Sequence, residues 1–338
     1  MYNVAVAGAT GAVGREMLKI LAERDFPIDN LVALASSRSR GKKLPYKNRE
    51  LEVEVLSEQS FEDIDLALFS AGSQVVKDQA SRIIDAGTVI VDNSSAFRYQ
   101  PDIPLVVPEV NPEALEDHDG LIANPNCSTT QMVMVLAPLH REFGLKRVVV
   151  STYQAASGAG GSARQELFDQ TKAVVNDEEM PPPEEFSRPL AFNSIPEIGE
   201  ILADEHDYTK EEMKMVWETR KIIGDDTIEV SPTAIRIPVL NCHGETVNLE
   251  TEEQCPPEKA RRLLEEFPGV EVADDIENSE FPTMLMADGQ DETYVGRIRK
   301  DFSVENGLNC WIVADNLRKG AALNTIQIAE ELHNRDLI

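Results

Sequence analysis

Apolar runs alternate with helical patterns through the first hundred residues. Short stretches of β-branched and small apolar residues lie at 3–7, 31–35, 65–69 and 88–92. Between them, apolar residues recur at helical spacing, as at 15–23 and 73–85. Continuous apolar strands separated by helices are typical of a parallel sheet covered on both faces. This pattern predicts an α/β domain with a doubly wound sheet.

The pattern changes after residue 145. A long strand is predicted at 146–157, and later strands at 228–239 and 244–251 are longer, more alternating and hairpin-like. Helices are predicted from about 162, over 209–223 and near the end of the chain, to about residue 332. We therefore predict a second, α+β domain with a largely antiparallel sheet.

A glycine-rich turn joins the first strand to the first helix. The glycines are Gly8, Gly11 and Gly14, a spacing that departs from the common G-x-G-x-x-G. Strand, turn and helix in this order are the context of a dinucleotide-binding fingerprint. Gly8 allows the tight turn, Gly11 allows a pyrophosphate to approach the backbone, and Gly14 allows close helix packing. The first domain is therefore predicted to be a Rossmann-like dinucleotide-binding domain, with Thr10, Ala12 and Val13 also at the cofactor.

The end of the second strand indicates which dinucleotide binds. An NAD site usually has an acidic residue there to hold the ribose hydroxyls. This chain instead has Ser36, Ser37 and Arg38, which suit a 2′-phosphate, so we predict NADP. The next strand ends in the small residues 70–72, namely Ser70, Ala71 and Gly72, which would let the cofactor pass closely.

One cysteine precedes a buried helical run. Cys127 follows Asn124-Pro125-Asn126, residues that favour a helix start, and the apolar run 131–139 follows it. The positive end of a helix dipole favours thiolate over thiol, as a covalent nucleophile requires. A buried, inert cysteine is the alternative reading of this position.

The other candidate residues are less specific indicators of a functional site when each is taken alone. Arg98 follows a predicted strand, where such sheets bind ligands, and could hold an anion. Glu218 and Lys221 share a helix face, as a solvated ion pair also would. Arg236 and His243 could converge only if the strand breaks at Pro238.

Composition and charge exclude several classes of protein. The net charge of −28, from 60 acidic and 32 basic residues, disfavours nucleic-acid and membrane partners. The four cysteines form no C-x-x-C pair, so neither a metal site nor a disulfide framework is predicted. No signal-peptide pattern and no apolar run of membrane-spanning length is present, so we expect a cytoplasmic protein.

Taken together, these motifs resemble those of bacterial aspartate-semialdehyde dehydrogenase. The matching segments span nearly the whole chain and occur in the same order. They are the 8–14 turn, Asn124-Pro125-Asn126-Cys127-Ser128-Thr129, Gln154 with the following Ser-Gly-Ala-Gly, Glu218-x-x-Lys221, Arg236 with His243, and residues 316–322. Reductases of N-acetylglutamyl phosphate share the architecture, but their motif typically reads Asn-Pro-Gly-Cys-Tyr.

The resemblance implies NADPH-dependent reduction of L-aspartyl-4-phosphate to aspartate semialdehyde and phosphate. This step leads to lysine, by way of diaminopimelate, and to threonine and methionine. The implied catalytic residues are Cys127 as thioester-forming nucleophile, His243 as general acid/base and Gln154 as the residue that orients the intermediate. The implied substrate-binding residues are Arg98 and Lys221 for phosphate, Arg236 for the α-carboxylate, Glu218 for the α-ammonium, and Asn126. Ser157, Gly158 and Asn316 are implied to contact the cofactor.

The resemblance also implies domain boundaries and an assembly. The NADP-binding domain is expected at 1–127 together with a C-terminal helix at 316–338, and the catalytic and dimerisation domain at 128–315. A homodimer or a dimer of dimers is expected. Two alternatives stay open: an N-acetyl-γ-glutamyl-phosphate reductase-like enzyme, and a non-catalytic NADP-sensing protein.

Overall fold

The computed structural model describes residues 1–59 and 61–338. The chain forms two compact units. The first comprises residues 1–126 and 321–338, and the second comprises residues 127–320. Among the helices of the described residues, none combines the length and the apolarity that a bilayer-spanning segment requires.

The first unit contains a seven-stranded sheet in the order β3-β4-β2-β1-β5-β6-β7. Its strands are parallel except for the β3–β4 hairpin at one edge. The elements are β1 (Tyr2–Ala7), α1 (Ala12–Glu23), β2 (Ile28–Ala35), β3 (Lys43–Tyr46), β4 (Arg49–Val55), β5 (Leu66–Phe69), α2 (Ser73–Asp85), β6 (Val89–Asp92) and β7 (Leu121–Ala123). The predicted doubly wound sheet is confirmed.

The second unit contains a six-stranded sheet in the order β11-β8-β12-β15-β14-β13. Its elements are α3 (Cys127–Phe143), β8 (Leu145–Gln154), α4 (Gly161–Val175), β9 (Ile201–Leu202), β10 (Tyr208–Thr209), α5 (Lys210–Ile223), β11 (Glu229–Arg236), β12 (His243–Thr251), α6 (Pro257–Glu265), β13 (Val270–Val272), α7 (Met284–Ala287), β14 (Thr293–Asp301) and β15 (Gly307–Ala314). β9 and β10 form a separate two-stranded ribbon.

β11 and β12 are consecutive strands, but they do not pair with each other. β8 lies between these two strands, parallel to β11 and antiparallel to β12. The β12–β15 and β14–β15 pairs are antiparallel and the β13–β14 pair is parallel, so the sheet is mixed with a majority of antiparallel pairs. Consecutive strands often pair, but here each of these two strands pairs with β8, which lies far away in sequence.

The chain ends by returning to the first unit. A five-residue π-helix at Arg318–Ala322 leads into α8 (Leu323–Asn334). Apolar α8 residues such as Ile326 and Leu332 share a buried cluster with Met17 of α1 and with Val4 and Val6 of β1. Ala5 and Ala7, on the other face of β1, share a second cluster with residues of α2. Both faces of the parallel sheet are thereby covered, as such sheets require.

Candidate active site

One row of residues crosses three adjacent strands of the second unit. Gln154, the last residue of β8, lies opposite Arg236 of β11 on one side and opposite His243 of β12 on the other. Residues directly opposite in a sheet point to the same face. We call Arg236, Gln154 and His243 the catalytic row. The register of β8 therefore brings together two residues whose odd sequence separation had left their convergence open.

The backbone of Ala155 holds both outer members of the row. Its N–H donates to Nδ1 of His243 at 3.1 Å, and its carbonyl accepts from Nη1 of Arg236 at 2.6 Å. A methyl group built onto Gly158 would lie 3.0 Å from Nη1 of Arg236 and 3.1 Å from Nε2 of His243. The two side chains therefore approach one point beside Gly158, where a larger residue would collide with both.

Cys127 is the first residue of α3. It is partly exposed, whereas the other three cysteines are buried. Burial raises the pKa of Cys255 to about 11 and that of Cys310 to about 12, and it raises the pKa of Cys242 above any physiological range. Of the four thiols, Cys127 is thus the one placed at a helix N-terminus with access to a ligand, which supports its selection as the nucleophile.

Gly320 packs against Cys127. A Cβ at position 320 would lie 2.8 Å from Cβ of Cys127 and 3.2 Å from its Cα. The backbone N–H of Gly320 donates to the carbonyl of Asp315, whose carboxylate accepts from the N–H groups of Leu317 and Gly289. This turn fixes a glycine against the backbone of the candidate nucleophile.

Burial sets the charge states of the row. His243 is wholly buried, and burial, followed by the nearby Arg236 guanidinium, lowers its pKa to about 3. The imidazole is therefore neutral at physiological pH. Burial also lowers the pKa of Arg236, but the Glu211 carboxylate and the Cys127 sulfur act in the opposite direction. The guanidinium is thus electrostatically coupled to both of these residues.

The acidic residue of α5 at the row is Glu211. Its Oε1 accepts from Nε2 of Gln154 at 3.4 Å, and its Oε2 lies 2.8 Å from Nζ of Lys214. Sequence analysis had selected Glu218 and Lys221, which stand seven residues later and thus roughly 10 Å farther along the helix at 1.5 Å per residue. The structure thus places Glu211 against Gln154 and beside Lys214, and the substrate contacts predicted for Glu218 and Lys221 stay predictions. The same Glu-x-x-Lys spacing occurs twice in this helix, so the pattern could have indicated both pairs.

Seven of the predicted cofactor residues of the first unit line one cleft. It measures about 480 Å³, within the usual size of a ligand site. Predicted residues that line it are Gly8, Thr10, Gly11, Ser36, Ser37, Ser70 and Ala71. Ala12, Val13 and Gly14 form the first turn of α1, Gly72 precedes α2, and Arg38 is exposed in the short turn beside Ser37.

Two glycines shape this cleft. Gly8 has a φ of +83°, and a Cβ on it would lie 2.7 Å from the carbonyl oxygen of Ser70. A Cβ on Gly14 would lie 2.3 Å from the carbonyl oxygen of Gly8. Larger residues would therefore displace the turn, so the close approach of the backbone depends on glycine at both positions.

The remaining predicted residues lie in both units. In the second, Oγ of Ser157 donates to Oδ1 of Asn316 at 2.9 Å, and this oxygen also accepts from the N–H of Cys242. In the first, the buried Arg98 donates to the carbonyls of Ser94 and Asn93 at 3.0 Å each, and Asn126 is buried immediately before Cys127. Their contacts with cofactor or substrate stay predictions.

Comparison with known proteins identifies the family of this chain. Residues 3–118 match the family model described as semialdehyde dehydrogenase, NAD binding domain, and residues 136–319 match semialdehyde dehydrogenase, dimerisation domain. An aspartate-semialdehyde dehydrogenase of Aquifex aeolicus is 54% identical over 340 residues, covering 100% of this chain and 99% of the relative. One from Legionella pneumophila is 49% identical over 339 residues, with 99% and 97% covered.

Solved structures show the same similarity. Aspartate semialdehyde dehydrogenase II of Vibrio cholerae, complexed with ASA, has a TM-score of 0.96 at 45% identity and covers 99% of this chain and 98% of its own. The Candida albicans enzyme, solved with NADP, has a TM-score of 0.77 at 25% identity and covers 100% of both chains. This chain belongs to the semialdehyde dehydrogenase family and, within it, to the aspartate-semialdehyde dehydrogenases.

Proposed function

We propose that this enzyme uses NADPH to reduce L-aspartyl-4-phosphate to L-aspartate 4-semialdehyde and phosphate, in the biosynthesis of lysine, threonine and methionine. The observation that carries the proposal is the partly exposed Cys127 at the start of α3, in the same unit as the catalytic row. A nucleophile, a hydrogen-bond donor and a carboxylate-binding cation are the groups that this chemistry needs.

The first unit fits a dinucleotide phosphate. Gly8 in the turn and Gly14 in the first turn of α1 leave no room for a side chain, and α1 begins at Ala12. Backbone N–H groups at a helix start suit a pyrophosphate. Ser36, Ser37 and Arg38 follow β2 without an acidic residue, which supports NADP over NAD. When bound, the nicotinamide supplies the hydride.

Cys127 carries the acyl group in this proposal. Its thiolate attacks the C4 carbonyl of the acyl phosphate, the carbon–oxygen bond to phosphate breaks, and a thioester forms. Hydride addition to this carbonyl gives a thiohemiacetal oxyanion. Its collapse expels the Cys127 thiolate and releases the aldehyde, so the reduction requires no net proton transfer from the protein.

The hydrogen bond to Ala155 defines the role of His243. Because an amide N–H donates to Nδ1, that nitrogen must accept, and the proton of the neutral ring therefore lies on Nε2. Nε2 has no partner among the described residues. We infer that Nε2–H donates to the oxyanion and stabilises it. This donor role is one part of the predicted general acid/base role of His243, and the part that concerns the thiol proton stays a prediction.

The two ends of the substrate require opposite charges. The planar guanidinium of Arg236 matches the α-carboxylate. Glu211 matches the α-ammonium, and Lys214 and Arg98 are the candidate phosphate ligands. An N-acetylated substrate has no ammonium for Glu211 to bind, so this carboxylate disfavours the N-acetylglutamyl-phosphate alternative. A non-catalytic NADP sensor would have no use for the combination of Cys127 with the catalytic row.

The second unit matches a dimerisation domain, and we propose a homodimer as the basic assembly, with a dimer of dimers as its extension. Light scattering at micromolar concentration distinguishes these two assemblies. A monomeric enzyme at that concentration would contradict both.

The test of function is phosphate-dependent reduction of NADP by aspartate semialdehyde. We expect turnover in the wild type and in Cys255→Ala, a control at a buried thiol, and none in Cys127→Ala. Titration of NADP should give the same affinity for all three proteins. Retained turnover in Cys127→Ala would remove Cys127 as the nucleophile, and an inactive wild type would overturn the proposed reaction.

A further inference from the structure

Three buried oxygens near the catalytic row lack partners. They are both carboxyl oxygens of Glu245 and Oε1 of Gln131, and none has a hydrogen-bond partner among the described residues. Both side chains are wholly buried. Buried oxygens without donors are uncommon in folded proteins, because each loses its bonds to water without replacement. Since all three are acceptors when Glu245 is ionised, the missing element is a donor.

Glu245 and Gln131 lie beside the proposed catalytic residues. Gln131 is one helical turn after Cys127 in α3, and its Nε2 donates to the carbonyl of His243 at 3.3 Å. Glu245 is two residues after His243 in β12, on the same face of the sheet. The Gln131 amide thus connects α3 to β12 beneath Cys127 and His243.

Among residues 1–59 and 61–338, no charged group compensates the carboxyl group of Glu245. Gln131 faces it from α3, Thr152 is opposite it on β8 and Ile312 is opposite it on β15. The thiol of Cys310 on β15 is a titratable neighbour, and its pKa is raised first by burial and second by the Glu245 charge. No cation pairs with Glu245 among the described residues. Burial raises the pKa of Glu245 well above its ordinary range, and Gln131 opposes this only in part.

We propose that Glu245 is a neutral carboxylic acid in the folded protein and that its O–H donates to Oε1 of Gln131. One proton then partners two of the three orphaned oxygens. The chain of bonds runs from Glu245 to Gln131 and from Gln131 to the His243 backbone. Glu245 is a positioning residue: it acts through Gln131 on the placement of His243 and α3, and this part of the inference rests on the proposed roles of Cys127 and His243.

The protonation is tested without any substrate. Above the pKa of an unfolded glutamate, near 4.3, the unfolded chain loses this proton while the folded protein keeps it. Stability is therefore lost as pH rises through this window. Compared with Glu245→Gln, the folding equilibrium constant of the wild type should fall by up to tenfold per pH unit between pH 5.5 and 8. Urea unfolding at each pH measures this ratio.

Glu250→Gln, at a partly exposed glutamate of the same strand, is the control and should show no such slope. If the ratio of the folding equilibrium constants of wild type and Glu245→Gln stays constant across this range, Glu245 is ionised in the folded protein and the proposal is overturned. This measurement uses no catalysis, so it separates failure of the inference from failure of the proposed function.

The positioning role is tested by kcat. Glutamine keeps a neutral donor for Oε1 of Gln131, so Glu245→Gln should stay within about threefold of wild type, whereas Glu245→Leu should lose at least tenfold in kcat with KM unchanged. Gln131→Leu should show the same loss in kcat. Combining Glu245→Leu with Gln131→Leu should lower kcat little further. Full kcat in both leucine variants, or equal losses in Glu245→Gln and Glu245→Leu, would contradict the positioning role. If Glu245→Leu does not fold, Gln131→Leu and Glu245→Gln still decide the outcome.

Discussion

At the residue scale, burial assigns different chemistry to similar groups. Cys127 remains accessible while the other three thiols are buried with raised pKa values. His243 is held neutral, and the N–H of Ala155 fixes its proton on Nε2. None of these states is visible in the sequence, because each depends on the backbone and charges that surround the side chain after folding.

The choice between the two Glu-x-x-Lys pairs gives the first prediction. Glu211→Gln should raise KM for aspartate semialdehyde by about 10- to 100-fold, because a charge-assisted bond to the α-ammonium is worth roughly 1.5–3 kcal/mol. Glu218→Gln, on the same helix, is the matched control and should leave KM within about twofold. Steady-state kinetics of the two variants measure the difference. A large KM effect confined to Glu218→Gln would restore the sequence-based assignment.

Motif spacing predicted which types of residue would form the site, but it could not decide between two copies of the same motif. Four of the predicted residues come from motifs that occur once in the chain: Cys127, Gln154, Arg236 and His243. The structure brings the last three together in one row. The sequence did not single out Glu211, because helical spacing is the same for both pairs. Only the packing of α5 against the sheet decides which turn of the helix reaches Gln154, and packing depends on contacts between residues far apart in sequence.

At the element scale, the site depends on the pairing of β8 with both β11 and β12. Local pattern correctly predicted α2 at 73–85 and the helix that begins at Cys127. It did not predict which strands pair, because the insertion of β8 between β11 and β12 is set by long-range pairing. The catalytic row is therefore a property of sheet register, which a one-residue slip would dismantle.

The π-helical turn at Arg318–Ala322 supports the nucleophile and gives a second prediction. Gly320→Ala places a methyl group 2.8 Å from Cβ of Cys127, so the cysteine or the turn must move. A displacement near 1 Å can lower kcat by about 100-fold. Gly161→Ala, at a position with open space, is the control and should keep full activity. Measured kcat values equal in the two variants would show that this contact does not position Cys127.

At the scale of the whole molecule, the main electrostatic feature is the excess of negative charge. A net charge of −28 destabilises the folded state through self-repulsion, and this repulsion is screened within about 10 Å at 0.1 M salt. The same field repels phosphate and NADP, so their sites must depend on local basic and backbone groups. The location of the protein in the cytoplasm stays a prediction.

Screening gives the third prediction. The free energy of unfolding should rise as NaCl increases from 0.05 to roughly 0.5 M, because repulsion among acidic groups weakens as the screening length falls. Urea unfolding at several salt concentrations measures this free energy. The slope of the free energy of unfolding against urea concentration should be the same at each salt concentration. A stability that falls with salt would mean that favourable ion pairs outweigh the self-repulsion.

The central claim is that Cys127 carries the acyl group. Mixing the enzyme with NADP and aspartate semialdehyde, without phosphate, tests it most directly because the thioester has no acceptor other than water. We expect a rapid burst of one NADPH per active site, and mass spectrometry of the quenched enzyme should find an aspartyl adduct on the Cys127 peptide. The absence of a burst, or an adduct located on another residue, would contradict the account.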